Sequence, residues 1–105
     1  MGERMEIKIY SFLDENKKLT KMPRKRKKRL YALLYLAEKF DVSVIYCERQ
    51  INDVLNEWHT FYDCALLRRM LFEEGLLDRT LDGSEYVINA EKVSSLRSTL
   101  VEKSY

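Results

Sequence analysis

Gly75-Leu76-Leu77-Asp78-Arg79-Thr80-Leu81-Asp82-Gly83-Ser84-Glu85-Tyr86-Val87-Ile88 is the stretch that decides the fold. Gly75 stops a helical pattern at the position where a left-handed residue is wanted. Two extended, apolar-containing runs follow, and the Asp82-Gly83 between them is a strong local hairpin signal. Working upstream, Thr60 reads as the N-cap of a helix reaching about Glu74, with Asp63 three residues on as an acidic version of the capping box. Cys64, Leu67 and Leu71 form one stripe of that helix, widened by Leu66 and Met70. Before it, Ile51, Val54, Leu55 and Trp58 share one face of a helix from about Glu48 to Trp58. The β-branched Asp41-Val42-Ser43-Val44-Ile45-Tyr46 suits a short strand.

Further upstream, Pro23 sits in the first turn of a helix running to about Phe40, where its missing N–H costs nothing. Leu30, Leu33, Leu34, Ala37 and Phe40 fall on one face of it. Met5, Ile9 and Phe12 give a short amphipathic helix over residues 5–13, although Met5, Ile7 and Ile9 also alternate as in a strand. Leu13-Asp14-Glu15-Asn16-Lys17 is a polar connection. Downstream of the hairpin, Val93, Leu96 and Leu100 mark a C-terminal helix from Ala90 to Lys103. Helix, strand, helix, helix, hairpin is the order of a winged helix-turn-helix. The expectation is a mainly α single domain over residues 1–105, with a small β-hairpin and extra N- and C-terminal helices. Its core spans about 12–89. The turn would be His59-Thr60-Phe61, the recognition helix Phe61 to Glu74, and the wing residues 76–88.

Composition fits one globular domain: 105 residues, 46% hydrophobic, 34% charged and 11% aromatic. No apolar run has membrane-span length, the first residues lack a secretory apolar stretch, and two cysteines are too few for a disulfide scaffold. A reduced, cytoplasmic protein is the expectation. Three glycines leave no Gly-rich phosphate loop.

Charge is the second signal. Residues 17–29 hold nine basic side chains and no acidic one, whereas the chain as a whole has 19 basic and 17 acidic residues. A net charge of +2 therefore hides a segment of +9 on a body of −7. Such a segment is a footprint for a polyanion, nucleic acid being the commonest, or else a solvated arm. Its core, Arg24-Lys25-Arg26-Lys27-Lys28-Arg29, occupies the first turns of a helix, where it opposes the helix dipole. Acidic residues would suit that place better, so the charges serve another purpose.

A family resemblance rests on three motifs. Phe12-Leu13-Asp14-Glu15-Asn16 and Pro23-Arg24-Lys25-Arg26-Lys27-Lys28-Arg29-Leu30 form the first, and Tyr46-Cys47-Glu48-Arg49-Gln50-Ile51-Asn52 the second. Asp63, Leu67-Arg68-Arg69-Met70-Leu71 and Gly75-Leu76-Leu77-Asp78-Arg79 form the third. Together they resemble a bacterial domain family of unknown function, over residues 12 to about 88. That family is found alone or fused behind ArsR-type repressor domains, and its members are commonly labelled transcriptional regulators. Cys47 stands where the family favours Thr, Met70 where it favours Glu, and Val87 where an aromatic is usual. The resemblance implies a winged-helix-like fold in a regulatory setting. No ArsR-type domain precedes the motifs, so DNA binding would fall to this chain's own residues.

The candidate contacts follow. Arg68 and Arg69 lie with Ala65 and Phe72 away from the apolar stripe, where each can reach a phosphate or a guanine edge. Thr60 and the first-turn N–H groups can hold a phosphate, and Tyr62 can donate to another. Arg24, Lys25, Arg26, Lys27 and Lys28 complete the nucleic-acid set. Against it, Arg68 can instead pair with Asp63 or Glu57, and Asp82 and Glu85 make the hairpin tip acidic. Base-specific readout is thus disfavoured relative to backbone contacts.

Catalysis is not expected. His59 is the single histidine, with Asp63 and Cys64 after it, but Cys64 belongs to the apolar stripe and no oxyanion or pocket motif accompanies it. Cys47, His59 and Cys64 match no standard zinc spacing. No cofactor and no metal are expected. The main expectation is a non-enzymatic module binding double-stranded DNA largely through phosphates, as a homodimer. The dimer rests on Met5, Ile9, Phe12, Val93, Leu96 and Leu100, more apolar surface than a three-helix winged core needs. The alternative is a winged-helix-shaped interaction module whose basic segment binds an acidic partner protein, or RNA.

Overall fold

The computed structural model describes residues 8–102. Within them the chain forms a 3-10 turn at Tyr10–Phe12 and helix α1 at Arg26–Ala37. Helices α2 (Glu48–Glu57) and α3 (Cys64–Glu73) follow, then strands β1 (Leu77–Arg79) and β2 (Tyr86–Ile88), and helix α4 (Ala90–Glu102). The architecture is mainly helical, with one two-stranded antiparallel hairpin. Of the expected N-terminal helix, residues 5–7 lie outside the described residues, and the described part closes a single 3-10 turn.

α1 is the centre of the core. Every residue from Tyr31 to Ala37 is buried, so this helix is covered all round rather than along the one face its leucines suggested. Leu30–Ala37 contains no charged side chain, which is the composition a fully enclosed helix needs. α3 packs on one side of α1 and α4 on another. The two tyrosines of α1 enter the core because their hydroxyls find acceptors. Tyr31 donates to the Leu100 carbonyl at 3.0 Å and Tyr35 to the Lys17 carbonyl at 2.6 Å. Pro23 precedes the helix instead of opening it, and the chain enters α1 through Lys25 in extended conformation.

Residues 41–46 correct the expected strand. The Asp41 carboxylate accepts both the Ser43 hydroxyl, at 2.6 Å, and the Ser43 N–H, at 2.8 Å, which curls the segment into a turn. The same two bonds, the hydroxyl first, hold the Asp41 carboxyl below its ordinary range. Only Tyr46 keeps strand character, exchanging two backbone bonds with Tyr86 at 2.8 and 2.7 Å.

α2 buries Ile51 and Leu55 as expected, and Gln50 Oε1 accepts the Cys47 N–H at 2.8 Å to cap its start. The next corner is organised by His59. Its Nδ1 donates to the Leu55 carbonyl at 2.7 Å, and its Nε2 accepts the Asp63 N–H at 2.9 Å. Leu19, fully buried, runs beside this corner and pairs with the backbone of Trp58 and Thr60. α3 begins later than the sequence suggested. Asp63 rather than Thr60 is its N-cap, accepting the Leu66 N–H at 3.2 Å.

α3 ends in a Schellman turn, with the Leu76 N–H on the Leu71 carbonyl and the Gly75 N–H on the Phe72 carbonyl, both at 3.0 Å. Gly75 has φ +80° there. The turn swings β1 back along α3, and Leu77, Asp78 and Arg79 pair with Ile88, Val87 and Tyr86. The hairpin loop is tied by Asp82, whose carboxylate accepts the Ser84 N–H, the Thr80 hydroxyl and the Ser84 hydroxyl. Those bonds, the Ser84 N–H first, lower its pKa to about 2. α4 then lies on α1 with Val93 and Leu100 buried, and Arg97 forms an ion pair with Glu38 at the end of α1. Ile9 is fully buried and Leu96 packs against the same core. Of the apolar residues read as a dimer surface, Ile9, Val93 and Leu100 are thus consumed within one chain; Met5 lies outside the described residues.

Candidate nucleic-acid interface

The outward side of α3 and the stem of the hairpin frame a groove of about 360 Å³. Ala65, Arg68, Arg69 and Phe72 come from α3, Arg79 from β1 and Tyr86 from β2. The Schellman turn is what brings Arg79 here, because it lays β1 against the helix it has just left. Three arginines therefore converge on one surface of a chain whose body is acidic.

They have different tasks. Arg68 is half-buried, with Nη1 2.5 Å from Asn52 Oδ1 and Nη2 3.9 Å from Glu48 Oε2. Glu48 also faces the Tyr86 hydroxyl at 3.4 Å. Arg68 thus ties α3 to α2, and its partners are on α2's first turns rather than Asp63 or Glu57. Arg69 is exposed and, among the described residues, has no ion-pair or hydrogen-bond partner. The Arg79 guanidinium lies 4.5 Å from the centre of the Phe72 ring, an arrangement that holds its planar fork toward the groove while leaving its N–H groups free to donate. Glu73 also lines the groove and places one negative charge in it.

The basic run is divided. Arg26 makes a two-pronged ion pair with Glu74, at 3.1 and 3.3 Å, docking the start of α1 against the end of α3. Arg24, Lys25 and Lys28 are exposed around a second groove, built on Phe12, Met22 and Pro23. Lys27 is exposed as well. Thr60 and Tyr62 stand at the other end of α3. Thr60 is exposed, with its backbone N–H on the Leu19 carbonyl, and Tyr62 is 98% exposed in a left-handed conformation, φ +55°. The Asp63 carboxylate already occupies the first turn of α3, so that helix end offers a phosphate less than the sequence suggested.

Arg79 is the one arginine of this groove that the sequence did not single out. The available signal was its distance from Gly75: a strand that turns back on a helix places its third residue beside the helix's last turns. Cys47 is exposed and Cys64 half-buried, both as free thiols. Among the described residues no three His, Cys, Asp or Glu side chains group as metal ligands, and no helix is long and apolar enough to cross a membrane.

Residues 18–88 match the model of a family described as an uncharacterized protein conserved in bacteria (DUF2087). The chain belongs to that family. The matched segment runs from the turn before α1 to the end of β2, so it spans this chain's Arg24–Arg29 run, the ion-paired Arg26 and Arg68, and the residues of the arginine groove. α4 lies beyond it. No curated protein and no solved structure matches the chain.

Proposed function

We propose that this member of the family is a winged-helix DNA-binding module of the transcription-regulator kind, non-enzymatic, holding double-stranded DNA mainly by its phosphates. The order α1, the Tyr46 bridge, α2, α3, hairpin supports the winged-helix reading, with α3 as recognition helix and the hairpin as wing. The observation that carries the function is the arginine groove. Arg69 is solvent-facing, and Arg79 is pre-oriented on Phe72. Both stand on the surface that a helix-turn-helix turns toward a duplex. Arg24, Lys25, Lys27 and Lys28, which flank the Arg26 that is paired with Glu74, add a positive field that steers a polyanion toward the end of α3. Thr60 and Tyr62 flank the opposite end of α3 as further phosphate contacts. Asp82 and Glu85 at the hairpin tip are acidic and exposed, so contact comes from the hairpin stem and not from insertion of its tip. Backbone-dominated recognition follows, because few groups on this face can read base edges.

Mapping amide NMR shifts on adding a random duplex tests the placement. Shifts should concentrate on Ala65–Phe72 and Arg79. Shifts that spare α3 would contradict the reading. Pairing as a homodimer belongs to the same proposal, since helix-turn-helix regulators usually occupy two half-sites. With Ile9, Val93 and Leu100 committed to the core, it needs other surface. Sedimentation at micromolar concentration decides it: a dimer keeps the idea and a monomer removes it.

A further inference from the structure

The second groove, about 400 Å³, has a chemistry different from that of the arginine groove. Its floor is apolar: buried Pro23 with half-buried Phe12 and Met22. Its rim is cationic, with Lys21, Arg24, Lys25 and Lys28 all exposed. Lys21 and Lys28 both hold their ammonium groups over the Phe12 ring, 5.5 and 5.8 Å from its centre. Among the described residues none of these four cations has a carboxylate partner, unlike Arg26, Arg68 and Arg97. Four unneutralised charges around an apolar floor are complementary to an anion that also carries bulky apolar groups. A nucleic-acid backbone supplies the charge but nothing to cover Met22 and Pro23. The single ring lining the groove already lies under two ammonium groups, so it is no bare platform for a base.

We propose that this groove binds an acidic peptide segment of a partner protein. One aliphatic or aromatic side chain of the segment seats on Met22, beside the Phe12 ring and not on its face, and its carboxylates lie along Lys21, Arg24, Lys25 and Lys28. The site is separate from Arg69 and Arg79 and does not depend on the DNA reading. A bound peptide also neutralises part of the field that steers DNA, so the two ligands weaken each other through charge.

The test uses fluorescence anisotropy with three probes on the full chain. They are an acidic peptide of about twelve residues with a central Leu-Phe, the same peptide with Gly-Gly there, and a single-stranded oligonucleotide of equal charge. At about 150 mM salt the Leu-Phe peptide should bind at least about tenfold more tightly than the Gly-Gly peptide. Its binding should be lost in Lys21→Glu/Lys25→Glu, whose exposed sites leave folding intact, and unchanged in Arg69→Ala/Arg79→Ala. Equal affinity of the two peptides would overturn the proposal by showing a charge-only surface. So would an oligonucleotide that outcompetes the Leu-Phe peptide and loses affinity in the Lys variant, which would assign the groove to nucleic acid. Failure of duplex binding, read with Arg69→Ala/Arg79→Ala, leaves the peptide result standing, so the two readings fail separately.

Discussion

Arg68 and Arg69 are adjacent and chemically identical, yet the fold uses them oppositely. Arg68 spends its guanidinium on Asn52 and Glu48, while Arg69 faces water. Arg68→Ala should cost about 1.5–3 kcal/mol in urea unfolding, since it deletes a charge-assisted bond and leaves Asn52 without its partner. Arg69→Ala should stay within about 0.5 kcal/mol of the parent, as exposed substitutions do, and a comparable loss in both would contradict this division. A helical wheel of α3 puts both arginines outside the apolar stripe but cannot separate them. What separates them is how α2 crosses α3, which no single-helix pattern contains. His59 shows the same limit. Its spacing to Asp63 and Cys64 does not reveal its place in the fold, where both its nitrogens are engaged by the backbone of its own corner.

Elements were legible where local chemistry decides alone. The Gly75 stop, the hairpin after it, and the Val93, Leu96 and Leu100 stripe of α4 all stand where periodicity and turn residues put them. The misreadings come from side chains competing with the backbone. Ser43 and Asp41 turn a β-branched segment away from strand, and Asp63 takes the capping place expected of Thr60. The Schellman turn is the element on which the groove depends. At Gly75 an added Cβ would meet only the Lys92 side chain, at 3.6 Å, so a substitution is opposed by the backbone angle and not by crowding. Gly75→Ala should therefore lower stability by about 1–2 kcal/mol in thermal or urea unfolding, and no loss would show that the turn relaxes freely. Because Arg79 is placed by this turn, the same variant should also weaken duplex binding.

At the scale of the whole molecule, the family segment ends at residue 88, yet the core does not. α4 covers α1, burying Val93 and Leu100 and accepting the Tyr31 hydroxyl at the Leu100 carbonyl. A chain ending at Asn89 should lose cooperative unfolding, because Tyr31 and its neighbours on α1 would face water, and each fully buried apolar side chain contributes about 1.5–3 kcal/mol. A sharp urea transition in the truncated chain would refute that. The charge separation read from the sequence holds at this scale but is subdivided. Arg26 is locked to Glu74, Arg24, Lys25 and Lys28 border an apolar groove, and Arg69 and Arg79 line another. The claim that Arg69 and Arg79 grip DNA phosphates is tested most directly by duplex anisotropy across a range of salt, for the parent and for Arg69→Ala/Arg79→Ala. Micromolar binding by the parent is expected, with a log–log salt slope that becomes shallower by about 0.9 for each phosphate contact removed. Unchanged affinity and slope in the variant, or no binding of the parent at low salt, would contradict it.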